Sequence, residues 1–369
     1  MIGGLTEEHE ELRDITRRFL ADKCGLVQTR ALAEAGASRD DSVWAQMAEQ
    51  LMLQGIAIPE QYGGAGFGPV ELSIVLQEMG RALVVAPYFS TVALAGQLLT
   101  ACEDDATRAR WLPQIADGSL TATVAIGDRT GEIDAGAVEA SAVRDGDVWR
   151  VSGTKRFVID GLSADLLIVA ATTDEGLALF TIEGSGEGVA REALPNLDLT
   201  RPLATITLDS AVATRIETDA VDVLGRVADL VSVALAAEQV GGAAAVLDMA
   251  VDYLRIREQF GRPIGSFQAI KHRCADLLLE VESASNAVSA ASSLLATGDA
   301  EGPIAAAIAA AWSGKAYTHV AKENIQFHGG IGFTWEHDAH FFLKRAKTSE
   351  LLLGTPSRHR ARVAELAGI

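Results

Sequence analysis

The sequence predicts an α+β chain built of three successive parts: an N-terminal α-helical domain, a small middle β-barrel or β-sandwich, and a C-terminal four-helix bundle. Three observations carry this. Apolar residues recur at helical spacing up to about residue 119. Short β-rich runs separated by turn residues then take over, from Thr121 to about Asp209. After about Leu224 the pattern is helical again and rich in alanine. The divisions read as 1–119, 120–223 and 224–369, within the two or three domains expected of 369 residues.

The elements follow in order. Thr6 is placed to cap a helix whose first turn holds Glu7 and Glu8, where negative charge suits the dipole. Leu12, Ile15, Phe19 and Leu20 continue it at helical spacing. Helices fit Val43–Gln54, Pro69–Ala82, Ser90–Thr100 and Asp105–Ala116, with a glycine-rich loop at 59–66. Strands fit Thr121–Ile126, Val148–Val151, Phe157–Ile159, Leu166–Ala170, Leu177–Ile182 and Ala204–Leu208, with turn signals such as Asp145-Gly146. Four long helices are expected at Val227–Glu258, Ser266–Ala296, Ile304–Phe327 and His340–Leu366. Their Ala, Ser and Gly residues permit close packing as a bundle.

Composition narrows the function. Apolar residues at 49% against 22% charged describe a globular chain, not a disordered one. A net charge of −19 with no basic run argues against nucleic acid or an anionic membrane as partner. Cys24, Cys102 and Cys274 are odd in number and form no C-x-x-C pair, which points to a reducing compartment and no zinc site. His272, His328, His337 and His340 lack matching ligands at metal spacing, so no metal is expected. Met1–Glu8 shows no basic region leading into an apolar stretch, so no signal peptide is expected. The apolar run Val231–Val251 is broken by Glu238, Gln239 and Asp248 and reads as a buried helix, not a membrane span. A cytoplasmic protein is expected.

The chemistry concentrates in the last third. Arg257-Glu258-Gln259-Phe260-Gly261, then Gln268, then Gln326-Phe327-His328-Gly329-Gly330-Ile331-Gly332-Phe333 offer one permanent cation, an aromatic face, two amides and a bare-backbone turn. Those groups suit the pyrophosphate and adenine end of a dinucleotide: Arg forks onto phosphate oxygens, and glycine lets N–H groups approach closely. The plainer alternatives are an ion pair of Arg257 with Glu258 or Asp252, a solvated Gln268, and a helix C-cap at Gly329 and Gly330. Arg201 reads as a surface-loop residue, or one that contacts phosphate.

R-x-x-F-G opening one bundle segment and Q-x-x-G-G-x-G-F closing another, behind a helical and a β segment, resemble the acyl-CoA dehydrogenase family. Ile58-Pro59-Glu60-Gln61-Tyr62-Gly63-Gly64 resembles its early loop, and Ile264-Gly265-Ser266-Phe267-Gln268 its C-terminal signature. The likeness covers essentially the whole chain. It implies FAD, an acyl-CoA substrate, a carboxylate base that takes the α-proton while the β-hydrogen leaves as hydride, and an electron-transfer acceptor. It also implies a flavin lying between two subunits. Arg257 would then contact the pyrophosphate, Phe260 would pack on the cofactor, Gln268 would hydrogen-bond it, and Gln326, Gly329 and Gly330 would add amide and backbone contacts.

Two departures matter. The family's Thr-Glu-Pro and Gly-Ser-Asp elements are not recognisable in 124–132, and its Trp-Ile-Thr is Phe157-Val158-Ile159, with no hydroxyl at Ile159. Asp128, Glu132, Asp134 and Asp160 would place negative charge near an anionic cofactor. The positions matching the family's base are Leu353 and, on the first bundle helix, Val231; neither accepts a proton. Glu238 lies seven residues on from Val231, on the same helix side, and is either a base or one half of a structural ion pair. The pattern is similar to the shorter subunit of bacterial α2β2 enzymes acting on steroid side-chain CoA thioesters, in which a sibling subunit supplies the base and the isoalloxazine pocket. The alternatives are a self-sufficient homotetramer using Glu238, and a non-catalytic acyl-CoA-binding paralogue.

Overall fold

In a computed structural model, residues 5–129 and 132–369 are described. The chain divides into two compact units. One holds residues up to Arg30, Ser73–Val84 and Ser232–Ile369; the other holds Ala31–Leu72 and Val85–Val231.

In the first unit, α1 (Glu7–Lys23) starts as its sequence dictates: Thr6 Oγ1 accepts the His9 N–H, and His9 Nδ1 accepts the Thr6 N–H. The bidentate Arg17–Glu78 pair at 2.8 Å ties α1 to α4 (Pro69–Arg81). The long α7 (Ala220–Ile256) crosses α4 at glycines. A Cβ on Gly80 would lie 1.9 Å from the Glu238 carbonyl oxygen, and one on Gly241 would lie 1.8 Å from that of Gln77. Only hydrogen fits at this crossing, which is why the stretch is so poor in side-chain bulk. α8 (Gln268–Ala296) and α9 (Gly302–His328) complete the long helices, with α9 touching α8, α10 (Ala339–Leu351) and α11 (Pro356–Ala367).

The single helix expected over His340–Leu366 is two. Leu353 and Gly354 take φ of +59° and +114°, and Thr355 then caps α11, with Pro356 at its first position. No continuous helix can pass through two positive φ values.

In the second unit, α3 (Asp41–Leu51) and α6 (Asp105–Ala116) lie where the spacing predicts, but the expected helix at Ser90 is a π-helix over Phe89–Gly96 leading into a short α5 (Gln97–Ala101). Every residue of the π segment is buried. Thr91 Oγ1 accepts the Ala122 N–H and donates to its carbonyl, pinning β1 (Ala122–Ala125). The other strands are β2 (Ser141–Asp145), β3 (Val148–Ile159), β4 (Leu166–Thr173), β5 (Gly176–Glu183), β6 (Val189–Ala193) and β7 (Leu203–Ile216). Pairings β4–β5, β5–β7, β7–β3, β3–β2 and β2–β4 close the sheet into a barrel, with β1 and β6 paired on β4 and β7. Phe180, Val151, Leu167, Val169 and Ile206 fill it. The runs Val148–Val151 and Phe157–Ile159 are one strand, bent by irregular pairing at Gly153 and Phe157. Short β2, whose burial alternates weakly, and β6 carry little apolar signal and are absent from the sequence expectation.

Candidate functional site at one end of the helical unit

Between α7 and α8 the chain makes a two-stranded hairpin, β8 (Glu258–Gln259) and β9 (Arg262–Pro263). Its two turn residues, Phe260 and Gly261, have φ of +52° and +74°, as a type I′ turn requires. This conformation is uncommon for a phenylalanine. It throws the ring outward: Phe260 is 92% exposed and meets the Phe267 ring in a T-shaped arrangement with centroids 6.2 Å apart. Arg257 stands at the hairpin's base, its N–H bonded to the Tyr253 carbonyl. Its side chain is exposed, and among the described residues it makes no ion pair. The Asp252 carboxylate is taken by Arg255 at 3.5 Å. Gln268 opens α8, exposed, with its amide 3.3 Å from His272 Nε2.

The glycine turn comes to the same end. α9 stops at Gly329, whose φ of +64° and ψ of −140° favour glycine. A Cβ on Gly330 would meet nothing within 4 Å, so this exposed backbone is open to approach. Gln326 is exposed on the last turn of α9. Three contacts join the helices flanking the hairpin to the end of α9 that leads into the turn: Tyr253 of α7 stacks on His328 at 4.2 Å, Arg273 of α8 pairs with Glu323, and the Arg273 guanidinium sits 5.2 Å from the Phe327 ring. The structure thus gathers Arg257, Phe260, Gln268, Gln326, Gly329 and Gly330 at one end of the helical unit. Residues 252–273 carry five Arg or Lys against two carboxylates in a chain of net charge −19. The local excess of positive charge favours an anion here. The donor set fits a diphosphate and a flat ring: guanidinium, amides, bare N–H groups and one exposed aromatic face.

Glu238 lies elsewhere in the same unit, 5% exposed. Arg345 Nη1 donates to it at 2.9 Å, and Arg345 Nη2 reaches the Val84 carbonyl at 3.4 Å. Its charge is compensated by a partner 107 residues away, and nothing local in the sequence marks that pairing. Val231 is fully buried, and Leu353 sits in the strained break between α10 and α11. Leu353 borders a small chamber with Ser232, Gln239, Ser349 and His359. Burial holds His359 below its ordinary value, with Arg362 adding to the effect, so the chamber offers a neutral imidazole.

The barrel unit answers the other half of the expectation. Asp128 is not a bare negative charge: Lys155 Nζ lies 3.0 Å from it, both side chains are buried, and the Glu139 N–H donates to it at 2.6 Å. Burial lowers the Lys155 pKa, and Asp128 works against that shift. Asp160 accepts the Ser90 hydroxyl at 2.6 Å. The Ile159 carbonyl is taken by Thr123 Oγ1 at 2.6 Å, which commits the nearest hydroxyl to the backbone. Thr130 and Gly131, part of the stretch that fails to match the flavin elements, lie outside the described residues. Arg201 is not a surface-loop residue; it is 4% exposed, with its guanidinium 5.0 Å from the Phe89 ring. The donor set at the bundle end therefore fits the nucleotide part of a flavin dinucleotide, and the barrel residues Ile159, Asp128 and Lys155 do not fit its ring.

Comparison with known proteins identifies the family. Residues 6–119 match the model of the acyl-CoA dehydrogenase N-terminal domain, and residues 229–367 match that of the acyl-CoA dehydrogenase C-terminal domain. Acyl-CoA dehydrogenase IpdE2 of Mycobacterium tuberculosis is 36% identical over 350 residues, 95% of this chain and 94% of that one. Among solved structures, a variant of the Tcur3481–Tcur3483 steroid ACAD superposes with a TM-score of 0.89 at 31% identity, covering 98% of both chains. The ChsE4–ChsE5 complex from Mycobacterium tuberculosis gives a TM-score of 0.90 at 28% identity, covering 99% of this chain and 98% of that one. With both terminal domains matched and a relative alike over nearly its whole length, the chain belongs to the acyl-CoA dehydrogenase family, whose members are flavoprotein oxidoreductases.

Proposed function

We propose that this chain is one subunit of an FAD-dependent acyl-CoA dehydrogenase. In this reading it closes the nucleotide end of a flavin site, and a sibling subunit supplies the isoalloxazine pocket and the base. One observation carries the proposal: an arginine with no ion pair among the described residues, an outward phenylalanine, two amides and an open glycine backbone share one end of the helical unit, while both base positions are apolar. The three-part division at 119 and 223 fits this reading, and the matched domain bounds of 6–119 and 229–367 support it.

In the proposed site Arg257 forks onto the pyrophosphate and sets the register of the cofactor. Phe260 covers an apolar ring face and sheds water, and Gln268 and Gln326 bind polar edges. Gly329 and Gly330 bring backbone N–H groups to the anion at no steric cost. The flavin, when bound, supplies the acceptor for the β-hydrogen of the acyl-CoA. At neither base position does this chain carry a proton acceptor, and Glu238 is held by Arg345. The solved relatives named as the Tcur3481–Tcur3483 steroid ACAD and the ChsE4–ChsE5 complex support a sibling partner, and the first supports a steroid CoA thioester as substrate. An electron-transfer acceptor completes the cycle.

The test is the flavin absorbance of the chain purified alone and with a co-expressed sibling. The expected result is a colourless chain alone, a yellow and active complex, and flavin retention weakened about 10- to 100-fold by Arg257→Ala, as for a lost charge-assisted hydrogen bond. A lone chain that turns over with stoichiometric flavin would defeat the proposal. So would an Arg257→Ala complex with unchanged flavin content.

A further inference from the structure

The first turn of α10 is capped in an unusual way. Its N-cap residue, Asp338, makes no side-chain cap, because its carboxylate is drawn off by Arg30 Nη2 at 2.6 Å. Arg30 also holds the Trp335 carbonyl at 2.5 Å. The N–H of Ala339, the first residue of the helix, donates instead to His337 Nδ1 at 3.1 Å. That bond needs an unprotonated Nδ1, so the donor geometry assigns the neutral tautomer with its proton on Nε2.

We propose that His337 is a titratable cap, and that it makes the passage from the glycine turn into α10 sensitive to pH. Protonation would place a hydrogen on Nδ1, break the acceptor for the Ala339 N–H and put a cation at the positive end of the helix dipole. The neighbours weigh against the cation. His328, at the end of α9, lies 4.3 Å away ring to ring, and is itself stacked on Tyr253 of α7 with its Nδ1 bonded to the Asn324 carbonyl at 2.8 Å. Arg30 approaches from α2 (Leu26–Ala35), and His340 and Lys344 lie on α10 itself. Among the described residues Asp338 is the facing carboxylate, and Arg30 occupies it; Glu336 is exposed. Burial is the main cause holding His337 below its ordinary value of 6.5, with Asp338 working against it and Arg30 with it. The sign follows. The folded state binds the proton less readily than the unfolded chain, so the cap contributes fully above about pH 6.5 and is lost as pH falls through the folded value. The cap adjoins the glycine turn of the proposed site, and neither its geometry nor its readout depends on a bound flavin.

The experiment is hydrogen exchange by mass spectrometry on the full chain from pH 7.5 to 5.0, corrected for intrinsic rates. It compares wild type with His337→Asn, whose Oδ1 accepts the same N–H without titrating, and with His337→Ala, which cannot cap. Protection of peptides within 329–345 is expected to fall faster with acid in the wild type than in His337→Asn, by up to about tenfold per pH unit for one proton. His337→Ala is expected to be poorly protected throughout. The His337 charge depresses His328 and His340, so both titrate higher in either variant and would make the variants, not the wild type, lose protection first; a faster fall in the wild type therefore reports on His337. Parallel curves for wild type and His337→Asn, at whatever absolute level, would overturn the proposal.

Discussion

The Glu238–Arg345 pair decides between a structural and a catalytic glutamate, and it can be broken from the side that no catalytic role needs. Its side chains are 6% and 4% exposed and 2.9 Å apart. Arg345→Met removes the cation beside a buried carboxylate, at a cost of about 3–5 kcal/mol. Glu238→Met alone leaves the buried guanidinium without its carboxylate, at a similar cost. The double variant removes both charges and fills the space with thioethers of similar length. It is expected to regain most of that loss, because burying two ions is costly and their attraction roughly offsets it. A double-mutant cycle by urea denaturation measures this. The single variants should lose about 1 M or more in midpoint, taking a slope near 3 kcal/mol per M, and the double should lie close to wild type. Activity of the assembled enzyme is the second readout. Glu238→Gln keeps the volume and one hydrogen bond to Arg345, so activity should change little. If Arg345→Met left the midpoint unmoved while Glu238→Gln lowered turnover by about 10²–10⁴-fold, as loss of a general base does, the structural assignment would be wrong.

Two further outcomes are expected. Gly241→Ala drives a methyl onto the Gln77 carbonyl at the crossing of α4 and α7 and should cost about 1–3 kcal/mol or more, whereas Gly225→Ala, where a Cβ meets nothing within 4 Å, should be neutral or slightly stabilising; equal melting temperatures for the two would refute the packing argument. His340 is buried, with neither ring nitrogen hydrogen-bonded among the described residues, and burial, with Lys344 and Arg30 adding to it, pushes its pKa down to about 4. The unfolded chain therefore takes up this proton first, and stability is lost as pH falls from about 6.5 towards 4. His340→Phe should relieve about 2 kcal/mol of that loss at pH 5 and almost none at pH 7.5, and a gain independent of pH would show that titration is not the cause.

Signals confined to a few neighbouring residues were legible without the fold. Thr6 announced its helix because capping is a contact across three residues, and Asp145-Gly146 announced its turn because only certain residues tolerate the backbone there. The glycine turn was visible for the same reason, and so were the residue types at Arg257 and Phe260; the hairpin that carries Phe260 was not, because Val227–Glu258 reads as one helix running into it. The break at Leu353 had its own marks in Gly354 and Pro356, but the apolar run on either side concealed them. Pairings across long stretches of chain left no trace in the sequence. Glu238 finds Arg345, Asp128 finds Lys155, and Arg30 takes the Asp338 carboxylate so that His337 must cap α10. Each of these changes what a carboxylate or an imidazole can do, and each depends on which groups packing brings within hydrogen-bond reach. A residue's type and local spacing are written in the chain, but its charge state and its partner are properties of the space around it, and only the tertiary structure creates that space.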